Sequence, residues 1–530
     1  MHTSLKPATR RMSLVSCLRA TATLALCAMV SPYAMLRAQG HPPLTQAEQF
    51  VLSKAERDEV ADLAEFSPIG NNRVLDHEFV EELLSGSYMD LKDRVRSVRI
   101  RNAVFKHRLN VSNESIPYVV WFLDCRFEGG VDFSGTRFAR DLSLQGSEFR
   151  PYPPPTHTSG SDTEEHIDSD AQFIAMRVDG SVTLTNTLFY VPLDFTYADI
   201  VGQFLFDDVK FKAAGVADFQ GLKTKVPAFF RNDDLEGPIA LTEADLFELI
   251  VENIRFDYGH WPKNPAHLEQ NDADLNLSQT HIGRGLMISK VNFRRFGAEY
   301  MDVDGPATFE GVGVSDYLSL AHSRFQVLTI DKLNLWEQTK ELSVDLEGLS
   351  FGGVDVPEDK VDEYSSKMLS LLNSERVKHF SPQPYTELES FLRAHGNPQM
   401  ADRVYIDMRR RERRELVWWK WGWDWLLDVL VGYGRKPWRA ALVFVGFALV
   451  GVAIFHEDRM EPQELGHVKL RYSPFWYSLD LLAPVIDLGP AKDWRPKQEQ
   501  FWIRNYAYFH RISGWILVPL VLAAITGIIK

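Results

Sequence analysis

Two histidines and two aspartates near the C-terminus of this 530-residue chain come closest to chemistry by type and spacing. His456 follows the apolar run 438–455, and His510 precedes a second, 512–529. In a helical hairpin the two imidazoles would share one membrane face, where they could ligate a haem or a metal. Between the runs lies YSPFWYSLDLLAPVIDLG (472–489), placed as a pore loop would be. There Pro484 and Gly489 could shape a short helix and turn that dips into the membrane, with Asp480 and Asp487 facing water or cations. Its alternative is an interfacial segment whose carboxylates are solvated or cap short helices. A third cluster, His157, Asp162, Glu164, Glu165, His166, Asp168 and Asp170, reads as a cation-binding loop or as a solvated acidic one. Residues 431–434 spell VGYG, the core of a potassium-channel filter. They precede the first apolar run and lead into Arg435-Lys436-Pro437, which suits a turn lifting the chain into a bilayer better than a filter. No Ser/His/Asp set, paired carboxylates, Cys pair, haem-attachment motif or Rossmann glycine fingerprint stands out, so no catalytic residue and no cofactor is predicted.

These groups need elements to position them. The two apolar runs are 18 residues each and free of charge beyond Arg439 near the start of the first, the lower edge of a transmembrane helix. Pro519 lies inside the second. Ten of the thirteen tryptophans lie beyond residue 417, beginning with WWKWGWDW (418–425). Trp favours the membrane–water boundary, so 415–431 reads as an interfacial amphipathic helix. Upstream, VDEYSSKMLSLLNSERVKHF and PYTELESFLRAHGNPQMADRVYIDMRRRERREL carry helical spacing, broken at Asn397-Pro398 into a helix pair. The expected neck is 353–431 and the membrane domain 432–530, with a loop over 456–511. Arginines and lysines are nearly balanced on the two sides of the first run, so charge alone leaves the orientation open.

The longer part of the chain follows a different rhythm. Large apolar residues fall at Phe122, Phe127, Phe133, Phe138, Leu144 and Phe149, with gaps alternating between five and six. The gaps alternate again through Val178, Leu184, Phe189, Phe195, Ile200, Phe206 and Phe211. A small residue or Val often sits two places earlier, as at Cys125, Thr136 and Ser147. Neither a helix nor a simple strand alternation has this period. A short fixed repeat means a solenoid, in which each unit buries its apolar residues by stacking on its neighbours. The beat spans 96–352, with a Pro/Ser/acid surface insertion at 151–170 and a noisier stretch at about 220–272. Four units make about 22 residues, and ten coils at ~4.8 Å make a rod on the order of 50 Å long. Residues 41–95 read as a helical cap over the first coil, with Thr45 and Glu48 spaced for a capping box.

A net charge of −14 argues against a general nucleic-acid partner. The N-terminus carries Arg10-Arg11, the apolar run ATATLALCAMV and small residues up to Ala38, so 1–38 reads as a signal peptide. Its cleavage removes Cys17 and Cys27 and leaves Cys125 alone, which cannot form an internal disulfide.

VDF (131–133), ADI (198–200) and ADL (273–275) resemble the pentapeptide-repeat family, whose unit is close to A(D/N)LXX. Most units here depart from that pattern by lengthening every second one to six residues. The resemblance implies a mainly β fold, a right-handed quadrilateral β-helix with four units per coil and the central Phe or Leu inward. The tail, from PYTEL through ADRVYIDMRRRERR, GYGRKPWRA and FWYSLDLLAPVIDLG, resembles a bacterial family of membrane proteins carrying such repeats, some labelled membrane-associated oxidoreductases. The resemblance implies a multi-pass protein of the bacterial inner membrane, and the signal peptide would place its repeats outside the cytoplasm. The function expected is a non-catalytic envelope scaffold, in contact with lipid and an unknown protein partner. Alternatives are a homo-oligomeric channel or, by label only, an oxidoreductase.

Overall fold

The computed structural model describes residues 44–66, 73–87, 95–151, 170–213, 215–257, 273–331, 342–436, 438–463, 472–483 and 487–526. The signal-peptide region, residues 152–169 of the insertion, Pro484 and the end of the 512–529 run lie outside them. The chain forms a parallel β-solenoid of about ten turns, followed by helices. One sheet has ten strands, a strand per coil, pairing in order from Leu109–Asn110 at one end to Ser343–Asp345 at the other. Along it Leu109 pairs with Val131, Val131 with Ala171, and Ala171 with Leu193, in parallel register. A second sheet stacks eight two-residue strands, and a third gathers seventeen.

Side chains at equivalent places in successive coils therefore lie one above another. Phe105, Phe127, Phe149 and Phe189 form a column with ring centroids 4.7–4.8 Å apart and interplanar angles of 9–12°. The register passes directly from Phe149 to Phe189, so the intervening insertion leaves the stack intact. Phe122, Phe127, Phe133, Phe138, Phe149, Phe189, Phe195, Ile200, Phe206 and Phe211 are all fully buried. Truncating such a ring to alanine typically costs about 3–5 kcal/mol.

The rhythm also has a backbone cause. Asn102, Asn113, Asp124, Gly135 and Gly146, each eleven residues after the last, have φ between +52° and +71°. At Gly135 the Thr136 N–H donates to the Phe133 carbonyl at 3.1 Å, a tight turn that carries the chain round a corner from one sheet to the next. Asn, Asp and Gly adopt this left-handed conformation at least cost. At Gly146 a Cβ would also meet the Asp124 carboxylate of the coil below at 2.2 Å, so a side chain there would require that carboxylate to move aside.

Beyond the insertion, the solenoid departs from strict spacing at further points along the rod. The stretch near 220 looked irregular because Leu193 pairs with Ala217, 24 residues on, where its neighbours repeat every 22. Two extra residues displace the count while the coils continue through Phe219, Phe230 and Leu235. From residue 245 onward strands lengthen to Asp245–Glu252, His281–Ser289 and Asp302–Glu310, with register shifts between Leu246 and Glu248 and between Val303 and Pro306. Bulges of this kind let one strand round a corner that elsewhere needs two, and they accommodate a proline inside a ladder.

Both solenoid ends are covered. At the N-terminal end sit α1 (Gln46–Glu56) and α2 (His77–Ser85), which place Val51, Phe79, Val80 and Leu83 in the common core. The α1 capping box is complete: Thr45 Oγ1 accepts from the Glu48 N–H, and Glu48 Oε2 accepts from the Thr45 N–H at 2.8 Å. At the other end α3 (Val361–Asn373) lays Met368, Leu369, Leu371 and Leu372 into the core. The space left under it is about 20 Å³, lined by apolar side chains including Phe296, Phe309 and Met368, room for roughly one water.

One of the inward positions otherwise held by small or apolar residues carries a carboxylate. Asp233 occupies the inward site two places before Leu235, where other coils carry Cys125, Ser147 or Thr187. Its Oδ1 accepts from the Val209 N–H at 2.8 Å, while Oδ2 is buried with no hydrogen-bond partner. Burial drives its pKa well above the ordinary carboxylate range, so the folded chain favours the neutral acid. The unfolded chain ionises near pH 4, so this site's contribution falls as pH rises from there through the folded-state value. Asp233→Asn keeps the Val209 acceptor and removes the charge. It is expected to stabilise the solenoid at pH 8 by about 1–3 kcal/mol and to do little at pH 4, measured by denaturant unfolding at both pH values. Cys125, also buried, has its thiol pushed up to about 12 by burial, so it remains a packing group.

Candidate functional site

The outside of the solenoid is a lattice of short-range ion pairs between neighbouring coils. Arg137 reaches Asp179 at 2.8 Å, Lys212 reaches Glu236 at 2.8 Å, and Arg324 reaches Asp302 at 2.6 Å. His281 stands between two carboxylates, with Nδ1 at 3.2 Å from Asp245 and Nε2 at 3.1 Å from Asp304. Among the described residues no group of three or more His, Cys, Asp or Glu has the arrangement of a metal site. The hydrogen bond to Asp245, and after it the one to Asp304, raises the His281 pKa. Its stabilising contribution is therefore full below about pH 6.5 and lost as pH rises through the folded-state value. Because the ring is well exposed, His281→Gln is expected to cost only about 0.5–1 kcal/mol at pH 5.5 and nothing at pH 9, read from paired melts.

The helices after the solenoid carry the more specific arrangement. α4 (Gln383–Ala394) and α5 (Pro398–Arg413) are separated by Asn397, whose Oδ1 accepts from the Met400 N–H at 3.1 Å and caps α5. α6 (Trp418–Val431) packs back on α5. The buried side of α6 includes its carboxylates, Asp424 and Asp428. Arg410 grips Asp428 through two hydrogen bonds of 2.9 and 3.0 Å, Arg413 adds a third at 3.3 Å, and Arg409 reaches Asp424 at 3.3 Å. Burial alone would push the Asp428 carboxyl up. The bonds and charges of Arg410 and Arg413 outweigh it, so its pKa lies below the usual range. Trp418, Trp419, Trp421, Trp423 and Trp425 are all exposed, Trp418 by 84%. The amphipathic helix expected from sequence thus has its polar groups inside and its aromatic groups outside.

The VGYG segment ends α6 as a turn. Gly432, Tyr433 and Gly434 all have positive φ, and the Tyr433 hydroxyl donates to Asp424. Arg435 then reaches Glu389 at 2.7 Å and lies over the Tyr405 ring. Several arginines counted above as orientation signals are therefore paired with carboxylates.

α7 (Trp438–Ile454) and α9 (Phe501–Thr526) pack side by side, with α8 (Pro474–Leu482) against both. Among the described residues no helix is long and apolar enough to cross a membrane. Close approach is set by two glycines: a Cβ on Gly451 would lie 2.0 Å from Ser478 Oγ, and one on Gly514 2.0 Å from the Leu482 carbonyl oxygen. Ser478 donates its hydroxyl to the Ala448 carbonyl at 2.9 Å. His510 is fully buried beside it, with Nε2 at 3.1 Å from Ser478 Oγ and Nδ1 at 3.3 Å from the Tyr506 hydroxyl. An Nε2–H tautomer satisfies this set, donating to Ser478 and accepting from Tyr506, and leaves no ring nitrogen open. His456 instead faces solvent beside Asp458, 3.2 Å away. The two histidines share no hydrogen bond or ring contact among the described residues.

Asp480 is also turned inward. Its two carboxylate oxygens accept from the Leu488 N–H at 2.9 Å and the Ala491 N–H at 2.7 Å, tying the loop after α8 back to the helix. Asp487 is exposed and pairs with Lys492, and Gly489 supplies a φ of 96° where the loop turns. Of the acidic insertion only Asp170 is described. Its carbonyl accepts from the Val131 N–H at 3.1 Å and rejoins the ladder. Asp162, Glu164, His166 and Asp168 lie outside the described residues.

One open cavity of about 290 Å³ lies between α8, α9 and the antiparallel ribbon Met460–Pro462 with Trp494–Pro496. Arg495, Arg504 and Arg511 line it, with no carboxylate among the lining residues. Sequence reasoning counted Arg504 and Arg511 only among the topology signals and did not single out Arg495. The spacing of Arg504 and Arg511, seven residues apart on a helix, was the available clue. Comparison with family models, with curated proteins and with solved structures finds no significant match for this chain.

Proposed function

We propose that this chain is a membrane-anchored β-solenoid that acts as a non-catalytic scaffold, displaying the lateral faces of its rod in the bacterial envelope. The observation that carries the reading is the inversion of the C-terminal helices. On α6 the carboxylates turn inward to Arg409, Arg410 and Arg413, while across α6, α7 and α9 Trp418, Trp423, Leu442, Leu449, Trp515 and Leu522 face outward. An exposed apolar belt of this size on a soluble protein would drive aggregation, whereas in lipid it is solvated. α7, at 17 residues, rises about 26 Å, against a hydrocarbon thickness of ~30 Å. The belt therefore fits as a hairpin over 438–455 and 512–529 flanked by interfacial tryptophans.

The filled solenoid interior supports the non-catalytic part, because a Phe-stacked core leaves only the outer faces to bind a partner. Four short strands per coil and the left-handed turn every eleven residues fit a right-handed, four-sided, pentapeptide-repeat-like coil. The channel reading finds the Asp480 carboxylate already used by its own loop, and the redox reading finds both His510 nitrogens occupied. Neither gains an observation. Full-length protein mixed with phosphatidylcholine vesicles is expected to float with them in a density gradient and to resist extraction at pH 11. Protein left at the bottom of the gradient, or released by alkali, contradicts the anchor.

A further inference from the structure

We infer that the cavity between α8, α9 and the antiparallel ribbon binds the phosphate headgroup of an anionic phospholipid. The first observation is electrostatic. The chain carries a net charge of −14, yet this cavity gathers three guanidinium groups and, among its described lining residues, no carboxylate. Arg495 is held by Glu461 at 2.9 Å, which fixes one wall. Arg504 and Arg511 form no ion pair with a carboxylate among the described residues, unlike the paired arginines of the neck. Two unneutralised guanidiniums facing one cavity are suited to a phosphate diester, which they can hold through paired N–H donors.

The second observation is geometric. Arg504, Tyr508, Arg511 and Trp515 follow one another by four, three and four residues, so they form one stripe along α9. The stripe changes character along its length: Arg504 and Arg511 line the cavity, and Trp515 and Leu522 beyond them are exposed and apolar. A phospholipid has the same order, charged head and then acyl chains. Tyr477, Tyr508 and Trp494, also lining the cavity, are residues suited to the headgroup level. A volume of about 290 Å³ sits at the small end of ligand pockets, enough for a headgroup while the acyl chains lie outside along the stripe.

The inference rests on the membrane-anchor reading, and its test separates the two. Full-length protein in mild detergent is titrated with phosphatidylglycerol or phosphatidylcholine, and bound lipid is counted by native mass spectrometry. One phosphatidylglycerol is expected to bind at least tenfold more tightly than phosphatidylcholine, and Arg504→Gln with Arg511→Gln is expected to abolish that preference. Both side chains are exposed, so the variant should still float with phosphatidylcholine vesicles and keep wild-type hydrogen exchange over 474–482. Equal binding of the two lipids by the wild type, or an unchanged preference in the variant, overturns the inference while leaving the anchor intact. Displacement of the lipid by millimolar glycerol phosphate would overturn it too, because the site would then read a soluble phosphate ester.

Discussion

Gly514→Val is expected to unseat α8 from the helical hairpin. A β-carbon at this position falls 2.0 Å from the Leu482 carbonyl oxygen and 2.9 Å from its Cα, so it meets backbone that no rotamer change can clear. Overpacking of this kind costs about 1–3 kcal/mol when neighbours can shift, and the upper end applies where they cannot. α8 is anchored at this junction through Ser478, which bonds Ala448 on one side and His510 on the other, so displacement breaks that chain of bonds too. Hydrogen exchange of the amides at 474–482 should accelerate by roughly a hundredfold, as expected for ~3 kcal/mol. Gly446 is the control, because nothing lies within 4 Å of its added Cβ. Gly446→Val should leave that exchange unchanged.

The second large effect is expected at Asp428. Its carboxylate is the meeting point of Arg410 and Arg413, and its backbone carbonyl accepts from Arg439 at 3.3 Å. Asp428→Ala removes the bidentate partner of Arg410 and leaves, among the described residues, only the longer contacts of Arg410 with Asp407 at 3.7 Å and of Arg413 with Asp424 at 3.9 Å. Breaking a buried pair from one side costs about 3–5 kcal/mol, and the partial exposure of Arg410 brings the expectation to roughly 3 kcal/mol. The loss should appear as local opening of α6, seen as faster exchange at 418–431 while the solenoid amides stay protected. The pH dependence follows from the depressed pKa of Asp428. A carboxylate with a lowered folded-state pKa contributes stability above its unfolded value near 4, and that contribution disappears as pH falls through the folded value. Wild type and Asp428→Asn should therefore differ at pH 7 and converge toward pH 2.

The two effects lie in the part of the chain that sequence reasoning read least well, for physical reasons. The solenoid was legible because one inward residue per unit repeats its spacing, and Phe127, Phe149 and Phe189 can be assigned inward without knowing their neighbours. The irregular stretch was hidden by two extra residues before Ala217 and then a 36-residue step from Ile239 to Leu275, which a fixed count has no way to absorb. Asp233 could have been found by its register, two places before Leu235, but its buried carboxylate reads locally as part of an ordinary Asn-Asp-Asp turn. The C-terminal site was less accessible because its partners are remote in sequence. Ser478 and His510 are 32 residues apart, and nothing in either stretch announces the other. The tryptophans of α6 were visible as boundary residues, whereas the inward aim of Asp424 and Asp428 depends on α5 lying beneath them.

The central claim is that the outward apolar belt of the C-terminal helices is solvated by lipid. Single cysteines carrying a nitroxide at Leu442, Leu449, Ile516 and Leu522, in otherwise cysteine-free full-length protein reconstituted into vesicles, test it most directly. At all four sites collision with molecular oxygen should exceed collision with a water-soluble nickel chelate, and a label at exposed Tyr197 on the solenoid should show the reverse. Nickel accessibility at Leu449 equal to that at Tyr197 would place the belt in water and contradict the anchored scaffold.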